Sequence, residues 1–152
     1  MRNMTVPQGL VVDASVAAKW HLTDENHTKE ASALFRLYYS GRTDLIAPSL
    51  IRYEIANALH NASRHGRITP DQAASEFATF LGYGIHDTID SDSLVASAQV
   101  IAQETGASMY DAVYVAYAEL HGYEVVTSDE QLARQMSGHA VPVHLLSELD
   151  LS

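Results

Sequence analysis

The sequence predicts an α/β fold, a three-layer α/β/α sandwich around a mostly parallel central sheet of four to five strands. Two observations carry that expectation. Short runs of β-branched apolar residues alternate with longer stretches in which apolar residues recur every three or four positions, the pattern of parallel strands joined by helices. Two of the strand-like runs also lead into an acid, Asp13 after LVV and Asp129 after EVVTS. Open parallel sheets carry their ligand sites just beyond the carboxyl ends of their strands, where these two acids would emerge.

Residues 1–8 read as a flexible polar tail and residues 9–152 as a single domain. Residues 10–13 form a buried strand, after which Ser15 is placed to cap a short helix running to Trp20. A second helix spans 28–39, with Ala31, Leu34, Phe35 and Tyr38 at helical spacing and Gly41 as its stop. Residues 45–47 make the second strand. Pro48 and Ser49 then open a helix whose apolar stripe is Leu50, Ile51, Ile55, Ala58, Leu59 and Ala62, ending near His65 and Gly66. The next helix starts at Thr69 or Pro70 and stops at Gly82 and Gly84. Alternation in IHDTI, residues 85–89, predicts a third strand. Helices follow over 91–105, with an acidic first turn, and over 108–121, each stopped by a glycine, Gly106 and Gly122. EVVTSD supplies the fourth strand and its exit. A brief helix over 130–136, an edge strand over 141–144 weakened by Pro142, and a last turn at LLSELD complete the chain.

With 152 residues and 47% hydrophobic content, the chain suits one domain with a substantial core. It contains no Cys, which excludes disulfides and thiolate metal sites and suits a reducing, cytoplasmic setting. No apolar stretch approaches the ~20 residues of a spanning helix, so a soluble protein without a membrane partner is expected. Nine Lys and Arg against 19 Asp and Glu give a formal charge of −10, which excludes a broad basic surface for nucleic acid. Nucleic acid would have to be met locally, by bound cations that reverse the sign or by Arg52, Arg64, Arg67 and Arg134, each of which singly reads as solvated surface. The eight His form no HExxH pair and read as scattered surface or loop groups.

Two further acids interrupt apolar helix stripes, Glu54 in LIRYEIANAL and Asp111 in MYDAVYVAYAEL. Ordinary readings exist for three of the four. Asp13 fits a turn, Asp129 an N-cap, and Asp111 a capping box with Ser108. Glu54 has no cap to serve, and its structural alternative, a pair with Arg52, asks for a residue on another face of the helix. For Asp111, apolar surroundings from Met109 to Ala118 mean that a cap satisfies only part of a buried carboxylate's acceptor capacity. Convergent carboxylates repel one another unless a hard cation such as Mg²⁺ or Mn²⁺ neutralises them. As a set, Asp13, Glu54, Asp111 and Asp129 therefore read as a metal-binding catalytic site. Ser15 and Thr127, two residues from Asp13 and Asp129, are placed to hold a water or a phosphate oxygen beside the ion, against ordinary readings as a cap and a strand residue. Tyr110, Tyr114, Tyr117 and Tyr123 sit at helical spacing and read as core rather than as a base-stacking platform.

Other strand-end aspartate chemistries fit less well. A haloacid-dehalogenase-type phosphatase needs DxD where this chain has Asp13-Ala14-Ser15, and a response-regulator receiver needs a late Lys where none follows Lys29. Taken in order, VVDASVAAKWHL, APSLIRYEIANALHNA and YDAVYVAYAELHGYEVVTSDEQLAR resemble the PIN-domain ribonucleases, and among them the VapC-like toxins of type II toxin–antitoxin pairs. The resemblance covers nearly the whole chain and implies a PIN-like sandwich. It also implies a Mg²⁺-dependent endoribonuclease, with Mn²⁺ as a substitute, in which one or two ions held by the acidic quartet activate a water against a phosphodiester bond. Its implied partners are an RNA substrate, a cognate antitoxin protein and a second copy in a homodimer, or a toxin–antitoxin hetero-oligomer. A PIN ribonuclease of RNA maturation or decay without an antitoxin, and a non-cutting module whose acids hold metal or a basic peptide, are the alternatives. The polar amino terminus and the acidic balance depart from the family pattern.

Overall fold

The computed structural model describes residues 4–152. Strand β1 (Met4–Thr5) leads into β2 (Gly9–Val12), whose three apolar residues are fully buried, and α1 (Ala14–Ala17) follows at once and tightens into a 3₁₀ turn, Ala18–Trp20. Helix α2 (Thr28–Tyr39) returns the chain to β3 (Asp44–Ile46). Three helices come next: α3 (Leu50–Arg64), α4 (Pro70–Gly82), opened by a capping box between Thr69 and Gln72, and α5 (Asp92–Thr105), capped by the Ser91 hydroxyl. Helix α6 (Met109–His121) crosses over to β4 (Glu124–Thr127), and α7 (Glu130–Gln135) to β5 (Val143–Leu145). A 3₁₀ turn, Leu146–Glu148, ends in β6 (Leu149–Asp150).

The main sheet has four strands in the order β3-β2-β4-β5, all parallel, so the carboxyl ends of β2 and β4 lie side by side. Register pairs Val11 with Ile46 on one side and with Val125 on the other. Both central strands are buried on both faces and accordingly read as continuous apolar runs. Helix α6 is buried without a break from Ala112 to Ala118, packed between α5 and the sheet; a helix apolar all round is an interior helix. At Gly9, a Cβ would come within 2.7 Å of the Tyr123 ring, whose hydroxyl donates to Asp44, so the start of β2 admits only glycine without a shift of that ring. No helix among the described residues is long and apolar enough to cross a membrane.

Several expectations give way here. IHDTI is not a strand: one parallel bridge joins Ala47 and His86, and the ladder stops because Asp87 turns its carboxylate onto the amides of Thr88 and Ile89. Of the expected tail, residues 1–3 lie outside the described residues, whereas Met4–Thr5 pair in parallel with Leu149–Asp150, and Thr43 and Asp44 donate to the carbonyls of Pro7 and Gln8. Pro142 is tolerated beside β5 because only its carbonyl is used, accepting from the Val125 N–H. His21 and His144 are buried rather than on the surface, each hydrogen-bonded to a glutamate, Glu76 at 2.7 Å and Glu124 at 2.6 Å. Tyr114 and Tyr117 join the core, but Tyr110 is 64% exposed.

Candidate active site

Asp13 stands at the carboxyl end of β2, 4% exposed, with extended backbone. One carboxylate oxygen accepts from the Val16 N–H at 3.3 Å and from the Ser15 hydroxyl at 2.5 Å, and the other accepts from the Thr127 hydroxyl at 2.6 Å. The cap of α1 is therefore Asp13, and Ser15, expected in that role, serves the carboxylate instead. Two hydroxyls 112 residues apart in sequence, those of Ser15 and Thr127, approach Asp13, because β2 and β4 are parallel neighbours. The latch continues past them. Thr127 Oγ1 accepts from the Asp129 N–H at 3.0 Å, and Ser15 Oγ accepts from the Ser128 N–H at 2.9 Å.

Asp129 caps α7, one oxygen accepting from the N–H groups of Gln131 and Leu132, so its capping role is real while its other oxygen makes no hydrogen bond among the described residues. Asp111 sits in the first turn of α6, where the Ser108 hydroxyl accepts from its N–H at 3.1 Å. Its carboxylate is half-buried. Glu54, on α3, accepts a 2.5 Å hydrogen bond from the Tyr114 hydroxyl, and Arg52 turns away to donate to the Ser49 carbonyl.

The four acids share one electrostatic field. Burial pushes the Asp13 carboxyl up to about pH 6 against the hydrogen bonds from Ser15, Thr127 and Val16, and the Asp111 charge pushes the same way. Burial also raises Glu54, opposed by the Tyr114 hydrogen bond and assisted by Asp111. Asp111 is raised by burial, lowered by Ser108 and raised by the charge of Asp129. The Asp111 charge thus bears on Asp13 and Glu54, with burial the larger cause at each. Among the described residues no three His, Asp or Glu side chains stand close enough together, as placed, to hold a metal ion.

The donor set fits a hard cation: oxygen donors only, raised proton affinity on three carboxyls, and, among the described residues, no base hydrogen-bonded to any of the four. Ser15, Glu54, Ser128 and Asp129 line an open cleft of about 580 Å³, and the Ser128 hydroxyl is buried with no hydrogen-bond partner among the described residues. Lys19, Asn57 and Asn61 line the same cleft. Sequence reasoning passed over these three and placed Tyr114 in the core without a role. Helical spacing was the available signal, since Lys19 lies four residues after Ser15, Asn57 and Asn61 three and seven after Glu54, and Tyr114 three after Asp111.

Tyr114→Phe removes the only hydrogen bond to Glu54 among the described residues. Its loss is expected to cost roughly 1–3 kcal/mol of stability and to raise the Glu54 proton affinity further. Thermal melts read the first effect, and an upward shift in the acid limb of a pH–rate profile reads the second; an unmoved acid limb would contradict the role given to Tyr114.

A parallel sheet with two acids at adjacent strand ends and two more from flanking helices defines the class: an α/β/α protein with an acidic cleft at the carboxyl end of its sheet. The chain belongs to the PIN-domain family, whose model, described as PIN domain, matches residues 10–136. Ribonuclease VapC3 of Pyrobaculum aerophilum is similar to it, 31% identical over 139 residues that cover 88% of this chain and 98% of that protein. Among solved structures, the crystal structure of PAE2754 from Pyrobaculum aerophilum matches with a TM-score of 0.64 and 26% identity, over 91% of this chain and 84% of that one. A chain of a toxin–antitoxin complex from Klebsiella pneumoniae shares the fold, with a TM-score of 0.61 and 16% identity over 92% of this chain and 99% of its own.

Proposed function

We propose that the protein is a Mg²⁺-dependent endoribonuclease, with Mn²⁺ as a substitute, acting as the toxin of a toxin–antitoxin pair. The observation that carries the reading is geometric: Asp13 and Asp129 follow the adjacent carboxyl ends of β2 and β4, and Glu54 and Asp129 line one open cleft there. Similarity to a relative named Ribonuclease VapC3 supports RNA as the substrate. A cognate antitoxin, a homodimer or toxin–antitoxin hetero-oligomer, and a cytoplasmic setting belong to the same proposal.

Asp13 and Asp111 would hold the ion directly, while Glu54 and Asp129 would ligate it, reach it through water or orient the attacking water. When bound, the ion supplies Lewis acidity and charge neutralisation to a phosphodiester undergoing in-line displacement. Ser15 and Thr127 fix both oxygens of Asp13, so its orientation is set before substrate arrives. Tyr114 holds one oxygen of Glu54 and leaves the other for a proton or a water. Burial of Asp13 keeps bulk water from its carboxylate.

Purified protein incubated with total RNA, followed by mapping of new 5′ ends, tests the reading. Discrete ends formed with Mg²⁺ or Mn²⁺ and lost in excess chelator are expected. Undiminished cleavage in chelator would overturn the metal mechanism, and no cleavage with either ion would overturn the nuclease.

A further inference from the structure

The segment between α4 and α5 has almost no core of its own: Ile85 is buried, and no side chain between it and Leu94 is. Its backbone joins the exit of β3, where the Ala47 N–H donates to the Ile85 carbonyl at 3.1 Å and the Asp87 N–H to the Ala47 carbonyl at 2.8 Å. From that anchor two carboxylates reach two helices. Asp87 gives one oxygen to the amides that follow it and accepts with the other from the Tyr117 hydroxyl of α6 at 3.2 Å. Asp90 accepts from the Ser49 hydroxyl at 2.5 Å, so Ser49, which precedes α3, makes no side-chain cap to that helix. Burial, then the charge and hydrogen bond of Asp87, pushes the Tyr117 hydroxyl up to about 12, so it stays a donor through the neutral range.

The helices joined in this way are the two that carry Glu54 and Asp111. Helix α3 packs on α4 and α1, and α6 on α5 and the central strands, whereas the one hydrogen bond between α3 and α6 among the described residues runs from Tyr114 to Glu54. Tyr117 lies three residues after Tyr114 on the same side of α6, and Ser49 opens the helix that carries Glu54 in its second turn. A shift of α3 against α6 is therefore a shift of Glu54 against Asp111. Asp111 repels Glu54, so the unneutralised pair favours such a shift.

We propose, resting on the ribonuclease reading above, that Asp87 and Asp90 are positioning residues for cleavage: bracing Tyr117 of α6 against Ser49 at the start of α3, they keep Glu54 in register with Tyr114 and Asp111. Neither carboxylate lines the cleft. The brace acts from outside it, through two helices, and opposes the repulsion between Glu54 and Asp111 before any cation arrives. Asp13 is independent of it, since Ser15 and Thr127 hold that carboxylate from the strand ends.

The test uses the full chain with Tyr117→Phe, which keeps the buried ring, Asp90→Ala, which removes the acceptor of Ser49, and Asp90→Asn, which keeps one. In excess chelator at one fixed pH, the ¹³C carboxyl resonance of Glu54 should move in the first two in the direction that Tyr114→Phe moves it. It should stay near its wild-type position in Asp90→Asn, and the Asp13 resonance should stay in all of them. With Mg²⁺ and a labelled RNA carrying a site at which wild type cuts, Tyr117→Phe and Asp90→Ala should each lower kcat about tenfold and raise the half-saturating Mg²⁺ about threefold, with KM for RNA changed about twofold or less. Asp90→Asn should cut nearly as wild type does. In a Tyr114→Phe background, where the link to Glu54 is already lost, Asp90→Ala should lower kcat by a further factor of about two or less, whereas a general loss of stability would add in full. A Glu54 resonance unmoved in both Tyr117→Phe and Asp90→Ala, or full additivity with Tyr114→Phe, would overturn the brace and leave the ribonuclease standing if wild type cuts. A wild-type protein that cuts no RNA with either ion would remove the ribonuclease reading and the role of the brace in cleavage with it, whatever the resonances show.

Discussion

Asp13→Asn is expected to abolish RNA cleavage and yet to yield a protein more stable than wild type above pH 6 in excess chelator, by up to about 3 kcal/mol. Burial raises the folded-state pKa of Asp13 from 3.8 to about 6, so between those values the folded chain binds more protons than the unfolded one. Stability accordingly falls as pH rises through that window, and above it the full cost of a buried, repelled carboxylate is present. Asparagine has nearly the same shape and no charge. Its carbonyl can still accept from Val16 and Ser15, and its amide can donate to Thr127 Oγ1, whose own proton is free to turn toward Ser15 Oγ at 3.3 Å. Denaturant unfolding of both proteins from pH 4 to pH 8 reads the difference. Wild type should lose stability on the way up and recover it with Mg²⁺ or Mn²⁺; the variant should be flatter and should gain little from either ion. Parallel curves would contradict the electrostatic account of Asp13.

Asp111→Asn is expected to reduce Mg²⁺- or Mn²⁺-dependent cleavage by roughly 10³-fold or more, about 4 kcal/mol of transition-state stabilisation. The fold should survive, because the Ser108 cap uses the Asp111 backbone N–H, which asparagine keeps, and the side chain is only half-buried. Since its charge raises Asp13 and Glu54, its removal should lower the proton affinity of both, a shift readable by carboxyl NMR titration in chelator. Cleavage at the wild-type rate would sink the quartet as a working unit, and unmoved titrations of Asp13 and Glu54 would sink the coupling.

Much of the fold was legible because the strands and helices differ in period. LVV and EVV are continuous apolar runs since both faces of β2 and β4 are covered, and MYDAVYVAYAEL is apolar all round since α6 is an interior helix. IHDTI misled because alternation reports where side chains point and not whether the backbone finds a ladder; Asp87 captured its own neighbouring amides. Pairing of Met4–Thr5 with Leu149–Asp150 was invisible for a related reason, two residues being too short to carry any period. In the candidate site, the acids stood out because Glu54 and Asp111 break apolar stripes. Lys19, Asn57 and Asn61 did not, because polar residues on a half-exposed helix face are ordinary until a neighbouring element turns that face into a wall. Ser15 was read as a cap, and only three dimensions reveal that Asp13 takes that role and uses Ser15 as a donor.

The latch between the two strand ends also sets an order of events. Asp13 is held by Thr127, 114 residues away, and Ser15 by the Ser128 amide, 113 residues away. Closing loops of that length comes late in folding, after local helices and hairpin-scale contacts have formed. A nascent chain that has exposed only Asp13 and Glu54 holds two of the four acids and neither Asp111 nor the Thr127 latch. The acidic cleft is therefore assembled only with the docking of β4 against β2, which makes it a report of completed folding.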